Sequence, residues 1–377
     1  METKDFPGVE LRARRVRLGE GVRIGEGTVI VADDLALGDG AVIGPGCDLR
    51  SARLEVGAGG QVGAGSRWLV ADEAVLGVGA VVDAGADVVC RQWAVGGGSY
   101  LGQRLRIGAG ASMEENSVVR VGRRCQIAPD VTVNPTEPVV IGDEVGISAE
   151  VAIFTHGYHA GHPVRDGHGA AFAGVEVGDG AWLGFRAVLL PGVSVGAGTV
   201  VAATATVTRS LPAGVLAAGV PAEVKRMLEP VAMDAAARRE AVVGLLDAWM
   251  QRLRFKGLTI EARVVQGAGL RWEVTVADRC WQVVWHPQDG ELPGIAEISR
   301  SGGDASAVFD FAEPLAVRGA LDDLGHDLRD FLRRATWLFP YADNSRGLVP
   351  ERFSRLLGTL PAGAGRQGRT GHGRPSR

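Results

Sequence analysis

An aliphatic residue recurs every six positions along much of this chain, and the count is broken once, by a segment holding four of the seven histidines. Ile141, Ile147 and Ile153 lead into that segment; Val177, Leu183, Leu189, Val195, Val201 and Val207 follow it. The next residue is usually small, as at Gly142, Ser148, Gly178, Gly184, Gly196 and Ala202. A period of six matches neither the 3.6-residue turn of a helix nor the two-residue repeat of a flat strand. It matches a parallel β-helix, in which each hexad supplies a short strand and a corner, and three hexads close one triangular coil. The aliphatic then points into the prism, and the small residue admits a corner too tight for a bulky Cβ.

The period reaches upstream through Leu18, Ile24 and Ile30, Leu37 and Ile43, and Val56 and Val62. It continues through Leu76, Val82 and Val88, Leu101, Ile107 and Met113, and Val121, Ile127 and Val133. The register slips by one to three residues between these groups, at Ala32-Asp33-Asp34, Trp68-Leu69-Val70 and Gly96-Gly97-Gly98, which read as short corner loops. Coils are expected from about residue 10 to about 222, each stacked mainly on its neighbours. The 56 glycines, set against 6% aromatics, suit a solenoid of many tight corners better than a layered α/β enzyme. A formal charge of −4 gives no reason to invoke nucleic acid or an anionic membrane. No apolar run approaches the ~20 residues that span a bilayer, and METKDFPGVELRARR lacks an apolar signal core. A cytoplasmic protein without membrane insertion is expected. Cys47, Cys90, Cys125 and Cys280 lie far apart with no Cys-x-x-Cys pair, and read as buried or unreactive thiols of a reducing compartment.

After Val207 the hexads stop, and from Met233 to Phe255 the pattern becomes helical: Val242, Val243, Leu245, Leu246, Trp249, Met250 and Leu253 fall on one stripe. Strand-like segments follow at Leu258–Val265, Leu270–Val276, Cys280–Trp285 and Ala307–Phe311, then a second amphipathic helix at about Pro314–Leu338. The expected division is a β-helix over 1–228, a small α+β domain over 229–360 and a disordered Gly- and Arg-rich tail over 361–377. Five of the eight tryptophans (Trp249, Trp272, Trp281, Trp285, Trp337) give the second domain large side chains for its own core. Its role is open between binding an acceptor, capping the solenoid and mediating assembly.

The histidine segment, IFTHGYHAGHPVRDGHGAAFAGVEVG, carries His156, His159, His162 and His168. Twenty-four residues separate Ile153 from Val177 where six would continue the coil, so about eighteen are inserted. One long excursion from a rigid scaffold is where function concentrates. Histidine suits proton abstraction near neutral pH, so one imidazole is a candidate general base. Three imidazoles holding zinc or a related ion form the competing reading. No cysteine lies nearby and the acids are limited to Asp166 and Glu176, so the base is favoured and no metal is expected.

From about Val121 to Met227 the chain resembles the hexapeptide-repeat acyltransferases, the group of galactoside, maltose, serine and polysaccharide acetyltransferases. VVIGDEVGISAEVAIFTHGYH, GVEVGDGAWLGFRAVLLPGVSVGAGTVVAATATVTRSLP and LAAGVPAEVKR carry the likeness. It implies a left-handed parallel β-helix, a homotrimer with sites between neighbouring prisms, acetyl-CoA along the last coils, and a loop histidine as base. The family places that histidine one or three residues after the threonine ending the last strand. Here Thr155 is followed by His156, the third position is Tyr158, and His159 comes next, so His156 and His159 both remain candidates. The same resemblance assigns the cofactor to Gly184, Phe185, Ala202, Ala203, Gly219, Lys225 and Arg226, and acceptor contacts to Asn134 and Tyr158. Three residues depart from the pattern: Phe185 stands for a small residue, Thr204 for a common Gly, and Glu223 for a usual Lys.

The function expected is an acetyl-CoA-dependent acyltransferase acting on a hydroxyl of a sugar or hydroxylated metabolite, with N-transfer the close variant. The alternatives are a metalloenzyme similar to the γ-class carbonic anhydrases and a non-catalytic scaffold solenoid. The former needs three histidines from separate coils, whereas here they crowd one segment.

Overall fold

In the computed structural model the hexads close a parallel β-solenoid of about 10 turns. The residues described are 6–108, 114–157, 167, 171–229, 233–266, 269–276, 279–288, 293–300, 306–312 and 316–336. The solenoid's strands form a 14-stranded and an 11-stranded sheet, in which each strand pairs with its counterparts one coil away. From Ile30 to Val207 every described hexad aliphatic is at most 5% exposed. Leu18 and Ile24, in the first coil, are only partly buried, and Met113 lies outside the described residues.

Up to Val95 each coil is built from one long and one short strand. Glu10–Leu18, Val29–Leu37, Asp48–Val56, Arg67–Leu76 and Asp87–Val95 stack in parallel. Glu10 sits opposite Val29 and Val29 opposite Asp48, a coil of 19 residues. Two of the three expected register slips, Ala32–Asp34 and Trp68–Val70, fall inside these strands and are not corner loops. Ala32 and Leu35 both face the core with Asp33 and Asp34 between them, so strict alternation fails there. Two sides of the coil thus run on as one bent strand. Trp68 and Trp93 fill this part of the core, meeting edge-on with ring centroids 4.5 Å apart.

Beyond Val95 the long strand divides. Asp87–Val88 is continued by Arg106–Ile107, Thr132–Asn134, Ala152–Phe154, Val188–Leu189 and Thr206–Val207. Gln92–Val95 is continued by Val118–Val121, Val139–Ile141, Val175–Val177 and Ser194–Val195. The corner between the two series carries the insertions. Ala152 pairs with Val188, 36 residues on, whereas Val188 pairs with Thr206, 18 on. The histidine excursion therefore adds the length of one whole coil and leaves the stacking register intact.

Close approach between coils explains the small residue after each aliphatic. A Cβ on Gly196 would lie 2.3 Å from Ala213 N, and one on Gly184 would lie 2.5 Å from Ala203 N. The obstacle is the backbone of the next coil, more than the turn itself. Asp39, Asp143 and Asp179 accept backbone N–H groups of Glu20, Arg123 and Asp143, at 2.8, 2.7 and 2.8 Å. Arg53–Glu73, Arg91–Asp72, Arg104–Asp130 and Arg123–Asp143 add ion pairs between neighbouring coils, each 2.6 Å long. The solenoid ends in an antiparallel hairpin, Val215–Ala218 with Glu223–Met227.

The chain divides into two units, the second beginning at Met233, with residues 332–336 of the described chain grouped with the first. The second holds a helix, a sheet of six antiparallel strands in sequence order, and a second helix. Asp234 Oδ1 caps the first helix, Ala235–Phe255, by accepting from Ala237 N at 2.8 Å. The second helix, Asp323–Thr336, starts later than its apolar spacing predicts. Asp322 Oδ1 accepts from Leu324 N and Gly325 N and fixes that start, while Ala316–Arg318 forms a sheet strand. Ile295–Arg300 is a further strand that the sequence pattern does not single out. Trp249, Trp272, Trp281 and Trp285 are buried in this unit; Trp337 and the 361–377 tail lie outside the described residues. Lys256 and Asp327 form a buried ion pair, and Trp249 Nε1 donates to the same carboxylate at 2.9 Å. No helix among the described residues is long and apolar enough to cross a membrane.

Candidate active site

His156 stands where the excursion leaves the solenoid, at a corner where two consecutive coils meet. Strand Thr132–Asn134 lies under strand Ala152–Phe154, with Asn134 opposite Phe154. The lower chain then turns through residues 135–138, and the upper chain leaves through Thr155 and His156. Thr155 is fully buried and fastens the two levels: its Oγ1 donates to Asn134 O at 2.8 Å and accepts from Glu137 N at 2.9 Å. Thr136 Oγ1 lies 3.3 Å from His156 Nδ1 and 3.3 Å from Asn134 Oδ1. The excursion is closed at its base by Gly157 N donating to Ala171 O at 2.7 Å and Ala173 N donating to Thr155 O at 2.9 Å. Phe172 stacks on the His156 ring with centroids 6.3 Å apart.

Of the sequence candidates, His156 and Asn134 are thus brought together at this corner. His159 and Tyr158 lie outside the described residues, as do His162 and His168. Among the described residues no group of three or more His, Cys, Asp or Glu side chains could hold a metal ion. Thr136 was not a sequence candidate. Its place one coil before His156, 20 residues upstream, is the signal that could have found it.

The candidate cofactor residues gather at a different corner. Gly184–Phe185 and Ala202–Ala203 occupy the same turn of successive coils, linked by Gly184 N to Val201 O at 2.8 Å and Thr204 N to Phe185 O at 2.7 Å. Gly219 follows at the hairpin turn and accepts from Thr206 N at 3.0 Å. The lack of a side chain at Gly184 is already required by the coil above it. Phe185 points outward, 41% exposed, with the Arg186 guanidinium 4.9 Å from its ring and Arg186 paired to Glu150. Glu150, Arg186 and Thr204 repeat one left-handed conformation, φ +61°, +58° and +61°, in three stacked corners. For a β-branched residue such as Thr204 that is strained. Lys225 and Arg226 lie on the exposed strand Glu223–Met227, where Lys225 Nζ pairs with Glu223 Oε2 at 3.1 Å.

These two corners bound opposite ends of one prism side, the one formed by Ala152–Phe154, Val188–Leu189 and Thr206–Val207. Of the cysteines, Cys47, Cys90 and Cys125 are buried and Cys280 is half-exposed. Burial pushes the Cys90 thiol up to about 12 and the Cys125 thiol up to about 11, so neither is a ready thiolate.

No family model matches the chain. It is 32% identical over 110 residues to the galactoside O-acetyltransferase of Escherichia coli, an alignment covering 29% of this chain and 54% of that protein. It is 42% identical over 94 residues to a putative acetyltransferase of Saccharomyces cerevisiae, covering 24% of this chain and 46% of that one. A solved hexapeptide-repeat acetyltransferase of Vibrio cholerae, complexed with acetyl coenzyme A, aligns over 36% of this chain and 71% of its own, at 24% identity and TM-score 0.32. The chain spans about half the length of the curated relatives it matches. Over the stretch those relatives share, this solenoid is similar to a galactoside O-acetyltransferase and to putative acetyltransferases.

Proposed function

We propose that the chain transfers an acetyl group from acetyl-CoA to a hydroxyl of a sugar or similar small acceptor, with His156 as general base. The observation that carries this reading is the convergence of His156 and Asn134 on Thr136 Oγ1 at the mouth of the excursion, within a solenoid whose relatives include a galactoside O-acetyltransferase. A half-buried imidazole beside a nearly buried amide offers a base and a neutral group to orient an acceptor hydroxyl. The acceptor's O–H proton passes to the imidazole, its oxygen attacks the thioester carbonyl, and the C–S bond breaks. The proton then leaves with the CoA thiol. No buried cysteine is available as a nucleophile, which favours direct transfer over an acyl-enzyme.

The corner of Gly184, Ala202, Ala203 and Gly219 suits a thin ligand running across the coils, and Lys225 and Arg226 suit its phosphates. Because that corner and His156 bound opposite ends of one prism side, we assign the complete site to neighbouring copies in a homotrimer. Cyclic symmetry sets the histidine corner of one copy against the cofactor corner of the next. A monomeric mass in solution would overturn the shared site.

The test is release of CoA thiol from acetyl-CoA across a panel of sugars and hydroxylated acceptors. Acceptor-dependent release is expected; no CoA binding and no release with any of them would sink the proposal. Arg226→Ala should weaken CoA about tenfold or more, the scale of a charge-assisted phosphate contact, and weaken pantetheine far less. Equal losses for both ligands would place the phosphates elsewhere.

A further inference from the structure

We infer that Thr136 is a positioning residue that keeps the neutral His156 ring protonated on Nδ1, so that the lone pair lies on Nε2. This deepens the reading of His156 as base and rests on it. A hydroxyl has one hydrogen to give. Thr136 Oγ1 has two polar neighbours in this corner, Asn134 Oδ1 and His156 Nδ1, each at 3.3 Å. A carbonyl oxygen only accepts, so the hydroxyl hydrogen goes to Asn134 and Oγ1 offers lone pairs to the ring. The ring nitrogen facing it must then be the N–H. A neutral imidazole carries a single ring proton, which leaves Nε2 as the basic atom.

The geometry is held from both sides. Thr155 Oγ1 bonds Asn134 O and Glu137 N, the residues that bracket the Pro135–Thr136 step. Pro135 and Pro138 limit the backbone of the same turn. The His156 backbone is bridged to Phe172, and the ring is stacked on that residue's side chain. The arrangement also survives the chemical step. When Nε2 takes the acceptor's proton, Nδ1–H still donates to Thr136, so the cation keeps its partner and the hydroxyl need not turn.

The tautomer is read directly from the ring nitrogen-15 resonances of the uniformly labelled chain, well above the ordinary imidazole pKa of about 6.5. The His156 signals are assigned by their loss in His156→Gln. A protonated Nδ1 and an unprotonated Nε2 are expected in the native chain and in Thr136→Ser. Thr136→Val, which removes the hydroxyl at equal volume, should shift the population toward Nε2–H. Thr136→Ala serves as a second variant, with both checked for native thermal unfolding. In turnover, Thr136→Val should lose about three- to tenfold in kcat, the scale of one hydrogen bond, with little change in acceptor KM, and Thr136→Ser should restore it. An Nε2–H ring in the native chain, or a population unmoved in both Thr136→Val and Thr136→Ala, overturns the inference. If His156→Ala left turnover intact, the base assignment would fall, while the resonances would still decide the tautomer.

Discussion

The first five coils and those that follow share one prism but treat one of its edges in opposite ways. In the early coils a single long strand bends through that edge, as Val29–Leu37 does at Asp33, and the chain never leaves the sheet. In the later coils the strand is cut there, and the chain departs at 135–138 and again at 155–174 before rejoining in register. The early pattern spends the edge on continuity, with strands of nine or ten residues and a tryptophan pair inside. The later pattern keeps only two- to four-residue strands, holding its register by coil-on-coil stacking. A stack that keeps register without the edge can build chemistry on it, and the early coils have no such freedom.

The largest effect separates the halves by activity. His156→Ala should cut turnover by ~10²–10⁴, while Asp72→Ala, in the early coils, should leave turnover unchanged; equal losses would dissolve the distinction. Next comes the core. Trp93→Ala should lower stability by about 3–5 kcal/mol, against about 1–2 kcal/mol for Val201→Ala among the later coils, both read from urea midpoints. Similar costs would mean the early coils gain nothing from their tryptophan pair.

Smaller still is the strain at the corner of the candidate cofactor residues. Thr204→Gly should raise stability by about 1 kcal/mol, since a β-branched residue at φ +61° is replaced by one that adopts it freely. A loss of stability would mean that the Thr204 hydroxyl, which donates to Ala203 O at 2.6 Å, outweighs the strain. The smallest effect tests what the halves have in common. Hydrogen bonds from Arg91 and Arg123 hold the Asp72 and Asp143 carboxyls below their ordinary range. A carboxyl depressed in the folded state contributes above its unfolded pKa of about 3.9 and loses that contribution as pH falls through the folded value. Stability should therefore drop on acidification below about pH 4. Asp72→Asn and Asp143→Asn should each flatten that drop, by similar small amounts in the two halves. A slope moved by only one of them would show that the ion pairs between coils do not act alike in the two halves.

The inward aliphatics were legible because a six-residue period has no rival in helix or flat sheet, and nearly all of them are buried. What the period could not convey was the merged strand. A seventh residue between Ile30 and Leu37 looks the same in sequence whether it makes a corner loop or a bend, and Ala32 and Leu35 facing inward together decided it. In the second unit, LAVRGALDDL has helical spacing throughout, but Gly319 at φ +87° and the Asp322 cap put the helix start after it. At the candidate site, His156 and Asn134 stand out in the sequence by residue type. Thr136 did not, because a threonine gains meaning only when coil stacking carries a position 20 residues away onto the histidine.

A stack of parallel coils has no internal reason to stop, since each layer offers the next the same row of donors and acceptors. Here the two terminal layers are unlike each other. The last strand, Glu223–Met227, runs backwards against Val215–Ala218, so an incoming coil of the same polarity finds the wrong spacing of partners. The first strand, Glu10–Leu18, carries Arg12, Arg14, Arg15 and Arg17, and pairs on only one side among the described residues. Charged side chains on an open edge discourage a second chain from adding there. A strand of reversed polarity at one end and an arginine-rich strand at the other thus give the two outer layers of the described solenoid edges unlike those its inner coils offer one another.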